Sequence, residues 1–334
     1  MKPSDSSKIL EHLQSAGILP SLEGKSEFEI YEITQIPEIR QRIFSFLNEN
    51  NYNFYQELEM DSLFVNTHRD INYEAEVVQL HSHSFYEIIY CESGNIQYLI
   101  GDKRYRIHAG DIILVPAGTS HRPLFYDEFK EPYSRIVIWI STDFLQQLVD
   151  TWPDAEHFRK RIHDYYLLRT QNTAYAYLED YFKKGCIEAE QKPPFWEAFV
   201  TNNTSILLIH LARAFMAEKS TFPSEKKDDL DQIISYIEKN YAYRITMELT
   251  AREFHISTST LEKLFCNKLG ISFYRFVTQR RLIHSKNQIE AGASMEEVAL
   301  SCGFSDYSAF YRAFKKEYGI SPRAYKTLTS SNIE

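Results

Sequence analysis

The feature that most constrains this chain is an internal repeat: shifting the C-terminal segment by 49 residues lays it on itself. Leu261, Phe265, Gly270, Ile271, Ser272 and Phe276 fall on Phe310, Phe314, Gly319, Ile320, Ser321 and Tyr325, and Glu248 and Leu249 fall on Glu297 and Val298. A register shared across helix, glycine stop and restart means one supersecondary unit used twice.

Each copy reads as a helix, a tight turn and a second helix. Copy one runs Met247–Phe254, His255–Thr258 and Ser259–Leu269. Copy two begins at Ser294-Met295-Glu296-Glu297, which has capping-box spacing, and stops near Gly303. Phe304–Asp306 turns the chain, and Tyr307–Tyr318 follows. Gly270 and Gly319 stand where a helix end needs a left-handed residue. The pattern is a helix-turn-helix. In copy one Leu261, Leu264, Phe265 and Leu269 form the buried stripe, leaving Thr258, Ser259, Thr260, Glu262 and Lys263 outside. In copy two Phe310, Ala313 and Phe314 point in, leaving Tyr307, Ser308, Tyr311, Arg312 and Lys315 outside. Small polar and basic groups on a second helix suit major-groove reading. A protein-binding solenoid needs more repeats than two.

Between the copies Ser272–Ala291 reads as one helical rod of roughly 30 Å, near the ~34 Å between successive major-groove faces of a duplex. Arg275, Arg280, Arg281 and Lys286 on the rod, with Lys315 and Lys316, are phosphate candidates that supply affinity and salt dependence without sequence choice. Net charge is −9, which excludes a protein that is basic throughout. Residues 225–334 nevertheless hold 16 basic and 14 acidic groups, and Arg244–Lys326 holds 13 against 8, a basic module on an acidic body.

Residues 1–50 read as helical, from Ile9, Leu10 and Leu13 to Ile39, Ile43, Phe44 and Leu47. From about 53 to 140 the texture changes to short β-type runs: Glu76–Leu80, Tyr86–Cys91, Ile96–Ile100, Tyr105–His108, Ile112–Val115 and Arg135–Ile140. Turn residues separate them, as expected of an all-β barrel or sandwich. From Asp143 to about Phe222 the pattern is helical again. Its large apolar groups (Trp196, Phe199, Leu207, Leu208, Leu211, Phe215) read as packing on the barrel and a dimer surface. Ser220–Asp229 reads as a linker. The expected domains are therefore 1–142, 143–224 and 225–334, with the helix-turn-helix units at about 247–269 and 295–318.

No apolar run approaches the ~18 residues of a membrane span, and the polar start lacks a signal-peptide core. Cys91, Cys186, Cys266 and Cys302, with no close pair, fit a reducing cytoplasm and read as core fillers.

The run Val298-Ala299-Leu300-Ser301-Cys302-Gly303-Phe304-Ser305-Asp306-Tyr307-Ser308-Ala309-Phe310-Tyr311-Arg312-Ala313-Phe314-Lys315-Lys316-Glu317-Tyr318-Gly319-Ile320-Ser321-Pro322 closely resembles the signature of AraC/XylS-type transcription regulators, and the likeness extends over about Asp228–Leu328. It implies a double helix-turn-helix domain whose recognition helices are Ser259–Leu269 and Tyr307–Tyr318. Copy one departs from the family at Cys266, where a basic residue is usual, and Glu262 would sit near an acidic polymer.

His81-Ser82-His83-Ser84-Phe85-Tyr86-Glu87, with Gly94, resembles the first cupin motif. Gly110, Pro116, Gly118 and His121 resemble the second, with Phe125 in place of its usual asparagine. Histidines at i and i+2 face one side of a strand. With Glu87 and His121 they make the three-histidine-plus-carboxylate set that can hold a divalent iron, manganese, nickel or zinc. The same residues in regulators of this family line a pocket for a small polar effector or brace the barrel. Tyr86, Tyr90, Tyr98 and Tyr105 read as core filling or as sugar-stacking walls, and Arg104, Arg106 and Arg122 as surface charge or as partners of an anionic effector.

The expected fold class is α+β multidomain: a cupin-like β-barrel with flanking helices, then an all-α double helix-turn-helix. The expected function is a cytoplasmic, ligand-responsive transcription regulator and not an enzyme. Its expected partners are promoter DNA, a small effector of the sugar class, RNA polymerase and a second copy of itself. The alternative is a metal-dependent cupin isomerase or dioxygenase carrying a DNA-binding domain.

Overall fold

The structure is a computed structural model, and it describes residues 13–21, 33, 39, 42, 60, 62–73, 78–125, 132–153, 155–162, 166–217 and 228–330. The chain divides into two compact units. One takes 58–288 with 301–303; the other takes 289–300 and 304–334 with 1–57. The expected boundary at 225 is thus not where the contacts divide. The first helix-turn-helix belongs to the same unit as the barrel, because the two share one hydrophobic core.

Among the described residues, eight strands build two antiparallel sheets. In chain order they are β1 (Val65–Asn72), β2 (Tyr86–Ser93), β3 (Asn95–Ile100), β4 (Lys103–His108), β5 (Asp111–Val115), β6 (His121–Leu124), β7 (Tyr133–Ile140) and β8 (Tyr166–Arg169). The larger sheet runs β1-β7-β2-β5-β8 and the smaller β4-β3-β6. Alternation along β2 decides which core each side chain joins. Ile89 and Cys91 meet Ile96, Tyr98, Ile100 and Ile107 of the smaller sheet. Ile88 and Tyr90 point the other way, onto helices. With both faces covered, β2 is buried at six successive positions instead of alternating with solvent.

The helices on that outer face are α1 (Thr142–Asp150), α2 (Glu156–Ile162), α3 (Glu179–Gln191) and α4 (Trp196–Ala217). Phe182, Leu207, Leu208, Leu211 and Phe215 bury themselves there. Three expectations change. Val65–Asn72 and His121–Leu124 are strands that the periodicity did not single out. Tyr166–Arg169, inside the segment expected to be helical, is an edge strand paired with β5. Of the expected run Glu76–Leu80, residues 76–77 lie outside the described residues, and Leu80 is irregular. Most of the 1–50 helical expectation also lies outside them; Leu13 and Ile39 belong to one small apolar cluster.

The first reading module comprises α5 (Asp229–Asn240), α6 (Met247–Glu253), α7 (Thr258–Leu269) and most of α8 (Phe273–Glu290). Its core is Ile233, Ile234, Ile237, Leu261, Phe265 and Phe276, joined by Leu80, Leu99 and Leu124 of the barrel. The second comprises α9 (Met295–Ser301), α10 (Tyr307–Tyr318) and α11 (Pro322–Ser330). Phe310, Phe314 and Tyr318 are buried on α10, and Phe314 lies against Tyr325.

Local chemistry sets each boundary. Ser257 accepts from the Thr260 amide at 3.1 Å to start α7, and Asp306 accepts from the Ala309 amide at 2.7 Å to start α10. Gly270 and Gly319 end them in the left-handed conformation. The capping box at Ser294 and Glu297 is present. Gly303 turns the chain after α9 at φ +81°, and a Cβ there would stand 2.5 Å from the Tyr241 carbonyl oxygen. Only glycine fits.

Candidate nucleic-acid interface and effector centre

On α7 the side chains of Thr258, Ser259, Thr260 and Lys263 are exposed, and the Ser257 hydroxyl lies 2.9 Å from that of Ser259 and 2.8 Å from that of Thr260. A row of hydroxyls at a helix N-terminus suits base edges and phosphates alike. On α10 Ser308 and Arg312 are exposed, as are Lys315 and Lys316. Tyr307 and Tyr311 are half-buried with ring centroids 6.1 Å apart. Arg275 is exposed on α8.

Other expected contacts are spent within the protein. Glu262 does not present its carboxylate to a groove; it accepts from the Phe273 amide at 3.1 Å, capping the rod. Arg281 donates to the carbonyls of Tyr241 at 2.9 Å and Tyr243 at 2.8 Å, closing the end of α5. Arg280 is 1% exposed and bonds Ser120 and the Gly101 carbonyl of the barrel, so it is not a phosphate contact in this conformation. Lys286 is equally buried, 3.4 Å from the Ser82 carbonyl. The rod stripe Phe273, Phe276, Val277, Arg280 and Ile283 carried the signal: Arg280 falls on its apolar face. Leu264 is only half-buried, and Cys266 is exposed, not a core filler as the other three cysteines are.

In the barrel, β2 carries Glu87 and β6 carries His121, while His81 bridges to His121 through paired backbone bonds. His83, Glu87 and His121 are buried together, their ligand atoms within 4.8 Å of one another. Each histidine fixes its Nδ1 on a backbone carbonyl: His83 on Phe85 at 2.8 Å, His121 on Thr119 at 2.9 Å, His81 on Gln79 at 3.0 Å. A carbonyl only accepts, so each Nδ1 holds a proton and leaves Nε2 for other partners. Trp139 donates its indole N–H to Glu87 Oε1 at 3.0 Å and aims Oε2 at the histidines.

Glu87 Oε2 lies 2.9 Å from His121 Nε2 and 3.8 Å from His83 Nε2, and none of the three atoms has an aligned hydrogen bond. Burial pushes the Glu87 carboxyl up, but the bonds and charges of His121 and His83 outweigh it and hold the group well below the ordinary carboxylate range. Burial drives His83 down against the pull of Glu87, and takes His81 to about 3. Buried electron-pair donors converging on one point take up a cation between them, and a proton shared by Glu87 and His121 or a metal ion can fill that place. The set fits a divalent metal with an open position for a further ligand. His81 stands outside this group.

Trp139 was not legible as a partner of Glu87; the cross-strand pair is a matter of register. Tyr86, Tyr90 and Tyr98 are core, and Tyr105 packs beside it. Neither Arg104 nor Arg122 is surface charge. Arg104 grips Asp228 and Asp231, and Arg122, 2% exposed, donates to the Leu269 carbonyl at 2.6 Å. Arg106 is exposed and bonds Asn95. A cleft of about 240 Å³ opens beside Arg122 and Lys268, where the barrel meets the end of α7.

Two family profiles match: an AraC-like ligand binding domain over residues 67–174 and a helix-turn-helix domain over 250–327. The chain is 25% identical over 248 residues to the transcriptional activator RhaS of Salmonella schwarzengrund, covering 73% of this chain and 85% of that one. It is 24% identical over 266 residues to the activator RhaR of Yersinia pseudotuberculosis, covering 76% and 86%. Among solved structures, fatty-acid-bound ToxT of Vibrio cholerae aligns over 80% of this chain and 97% of its own, at 15% identity and a TM-score of 0.34. No helix among the described residues is long and apolar enough to cross a membrane. With a β-rich ligand-binding domain ahead of two helix-turn-helix units, the chain belongs to the AraC-type family of ligand-responsive, DNA-binding transcription regulators.

Proposed function

We propose that this regulator activates transcription in the cytoplasm, as a homodimer contacting RNA polymerase, when its barrel takes up a small, hydroxyl-rich effector of the sugar class. The carrying observation is the trio His83, Glu87 and His121, a buried polar centre whose facing atoms have no aligned hydrogen bond. His83, Glu87 and His121 would hold a divalent ion there, which when bound supplies a Lewis-acidic position for an oxygen of the effector. The relatives' printed function supports activation, and the exposed faces of α7 and α10 support promoter reading. The barrel works as a sensor and not as an enzyme.

The effector acts by its differential affinity for two arrangements of the barrel and the reading modules. Footprinting the full-length protein across its own genomic neighbourhood, with and without sugars and with Zn²⁺ or Mn²⁺, tests this reading. Sequence-specific protection that responds to one of them is expected; protection indifferent to all of them overturns the sensor. The two-histidine, one-carboxylate set favours a second reading, a metal-dependent isomerase or dioxygenase. Metal-dependent turnover abolished by His83→Ala would decide for the enzyme.

A further inference from the structure

Successive side chains on a strand point to opposite faces, so the face that carries Glu87 carries further polar groups along the barrel wall. On β7, Tyr133, Arg135 and Trp139 share one face. The register sets Glu87 opposite Trp139, Asp70 opposite Arg135 and Asn72 opposite Tyr133. Tyr133 joins Ile89, Cys91 and Tyr98 in the core between the sheets. Trp139 holds Glu87, so one row runs from the effector centre to Arg135 and Tyr133. Four residues of strand, about 13 Å, separate Trp139 from Arg135.

Arg135 is 14% exposed and held by two bonds, from Nη1 to Asn72 Oδ1 at 2.7 Å and from Nη2 to Asp70 Oδ2 at 2.9 Å. A guanidinium has five N–H groups; the other three have no acceptor among the described residues. The guanidinium carbon lies 4.9 Å from the centre of the Tyr133 ring. Tyr133 is wholly buried, and its hydroxyl has no hydrogen-bond partner. Burial drives this phenol well above its ordinary value, which keeps it a donor, and it lies within electrostatic reach of Tyr98, Arg135 and Glu87.

We propose that Arg135 and Tyr133 form a carboxylate subsite, so that the effector is an acidic sugar, a polyhydroxy monocarboxylate of the aldonate or uronate class whose hydroxyls meet the His83–Glu87–His121 trio. The inference rests on reading that trio as the effector centre. Its chemistry follows from an excess of donors. A neutral hydroxyl must place its own proton as well as accept one, whereas a carboxylate only accepts, and its two oxygens match a planar guanidinium. A wholly buried hydroxyl without a partner is costly to the ligand-free protein, and a carboxylate oxygen satisfies it. Asp70 does not cancel the site: it steadies Arg135 from the neighbouring strand, and its side chain is 39% exposed, where water screens its charge.

The test is titration calorimetry on full-length protein with gluconate, galactonate, glucuronate and galacturonate, against glucose and galactose, each with and without Zn²⁺. At least one acid is expected to bind about tenfold or more tightly than its neutral counterpart. Tyr133→Phe removes only the unpaired hydroxyl. It is expected to weaken acid binding about tenfold while the ligand-free melting temperature stays level or rises, because no bond is lost. Asp70→Asn keeps an acceptor for Arg135 and removes a negative charge, so it is expected to tighten acid binding severalfold; a neutral diol held between Asp70 and Arg135 would instead be lost. A neutral sugar bound as tightly as its acid overturns the assignment, as does acid binding unchanged in Tyr133→Phe. Zn²⁺ bound with none of the four acids bound at millimolar concentration overturns the subsite and leaves the trio standing; neither bound overturns both. Acid bound equally with and without Zn²⁺ supports the subsite and takes the metal out of it.

Discussion

Arg104 on a barrel strand donates through Nε to Asp231 Oδ1 at 2.7 Å, and Asp231 closes the capping box of α5 with its other oxygen, which accepts from the Asp228 amide at 3.0 Å. One carboxylate thus starts the first helix of the reading module and fastens it to the barrel. Asp228 also meets Arg104, at 2.5 Å. A helix start is normally a local affair of the chain; here it is shared with residues more than a hundred positions earlier.

Replacing that carboxylate by its amide, Asp231→Asn, weakens both roles while keeping the shape. A loss of roughly 1–3 kcal/mol is expected, the range for a hydrogen bond to a charged group together with a helix cap. Thermal unfolding measures it. Arg104→Gln should reproduce only part of the loss, because the Asp231–Asp228 cap survives it. Equal losses in the two variants would mean that the cap contributes little.

Gly303→Ala places a methyl group against the Tyr241 carbonyl oxygen in a left-handed backbone. The expected cost is about 1–3 kcal/mol, from backbone strain and the forced shift of Tyr241. Because Arg281 bonds the same carbonyl, the chain there has little room to yield. Chemical denaturation of the variant reads the cost directly, and unaltered stability would show that this turn relaxes.

Arg312 and Lys315 stand three residues apart on α10 and separate two kinds of contact. Arg312→Ala should weaken specific binding by about 1–3 kcal/mol and relax the preference at one base pair. Lys315→Ala should weaken all sequences alike and make the salt slope shallower by about 0.9 for one lost phosphate contact. Titrations at several salt concentrations on matched and single-mismatch duplexes distinguish the two. A uniform loss for Arg312→Ala reassigns it to phosphate.

Glu238 on α5 accepts from His284 at 2.8 Å and lies 3.5 Å from Arg280. Burial raises its carboxyl, but the His284 bond and the Arg280 charge outweigh that and lower it below its ordinary value. A carboxyl that is more acidic folded than unfolded adds stability above the unfolded value and loses it as pH falls through the folded one. Glu238→Gln should therefore cost stability at neutral pH and flatten the decline on acidification. Denaturation midpoints from pH 7 down into the acid range measure it. A wild-type and variant pair declining in parallel would assign the acid sensitivity to other groups.

The reading modules were legible because helix-turn-helix logic is local. Caps, glycine stops and a 3.6-residue stripe all lie within one stretch of chain; both glycine ends stand where spacing put them, α10 begins at the expected Tyr307, and α7 begins at Thr258, one residue ahead of expectation. The trio in the barrel was legible in part, since His83 and Glu87 are near neighbours and His121 belongs to a recognisable second pattern. What spacing could not give is register across the molecule. Trp139 meets Glu87 because β7 pairs with β2, and Arg122 meets Leu269 across 147 positions. Charge misled for the same reason: Arg280, Arg281 and Lys286 looked like phosphate contacts because a positive side chain gives no sign of the carbonyl it will find. Strand β8 escaped because four apolar and basic residues between helical runs have no period of their own.

Each recognition helix carries its own beginning and its own end, Ser257 with Gly270 and Asp306 with Gly319, none of them among the side chains expected to face bases. Lineages can therefore exchange the letters one helix presents to an operator without disturbing how that helix folds, and can do so in one copy while the other keeps its vocabulary. Duplication of such a self-punctuated unit supplies two independently editable halves of a promoter address.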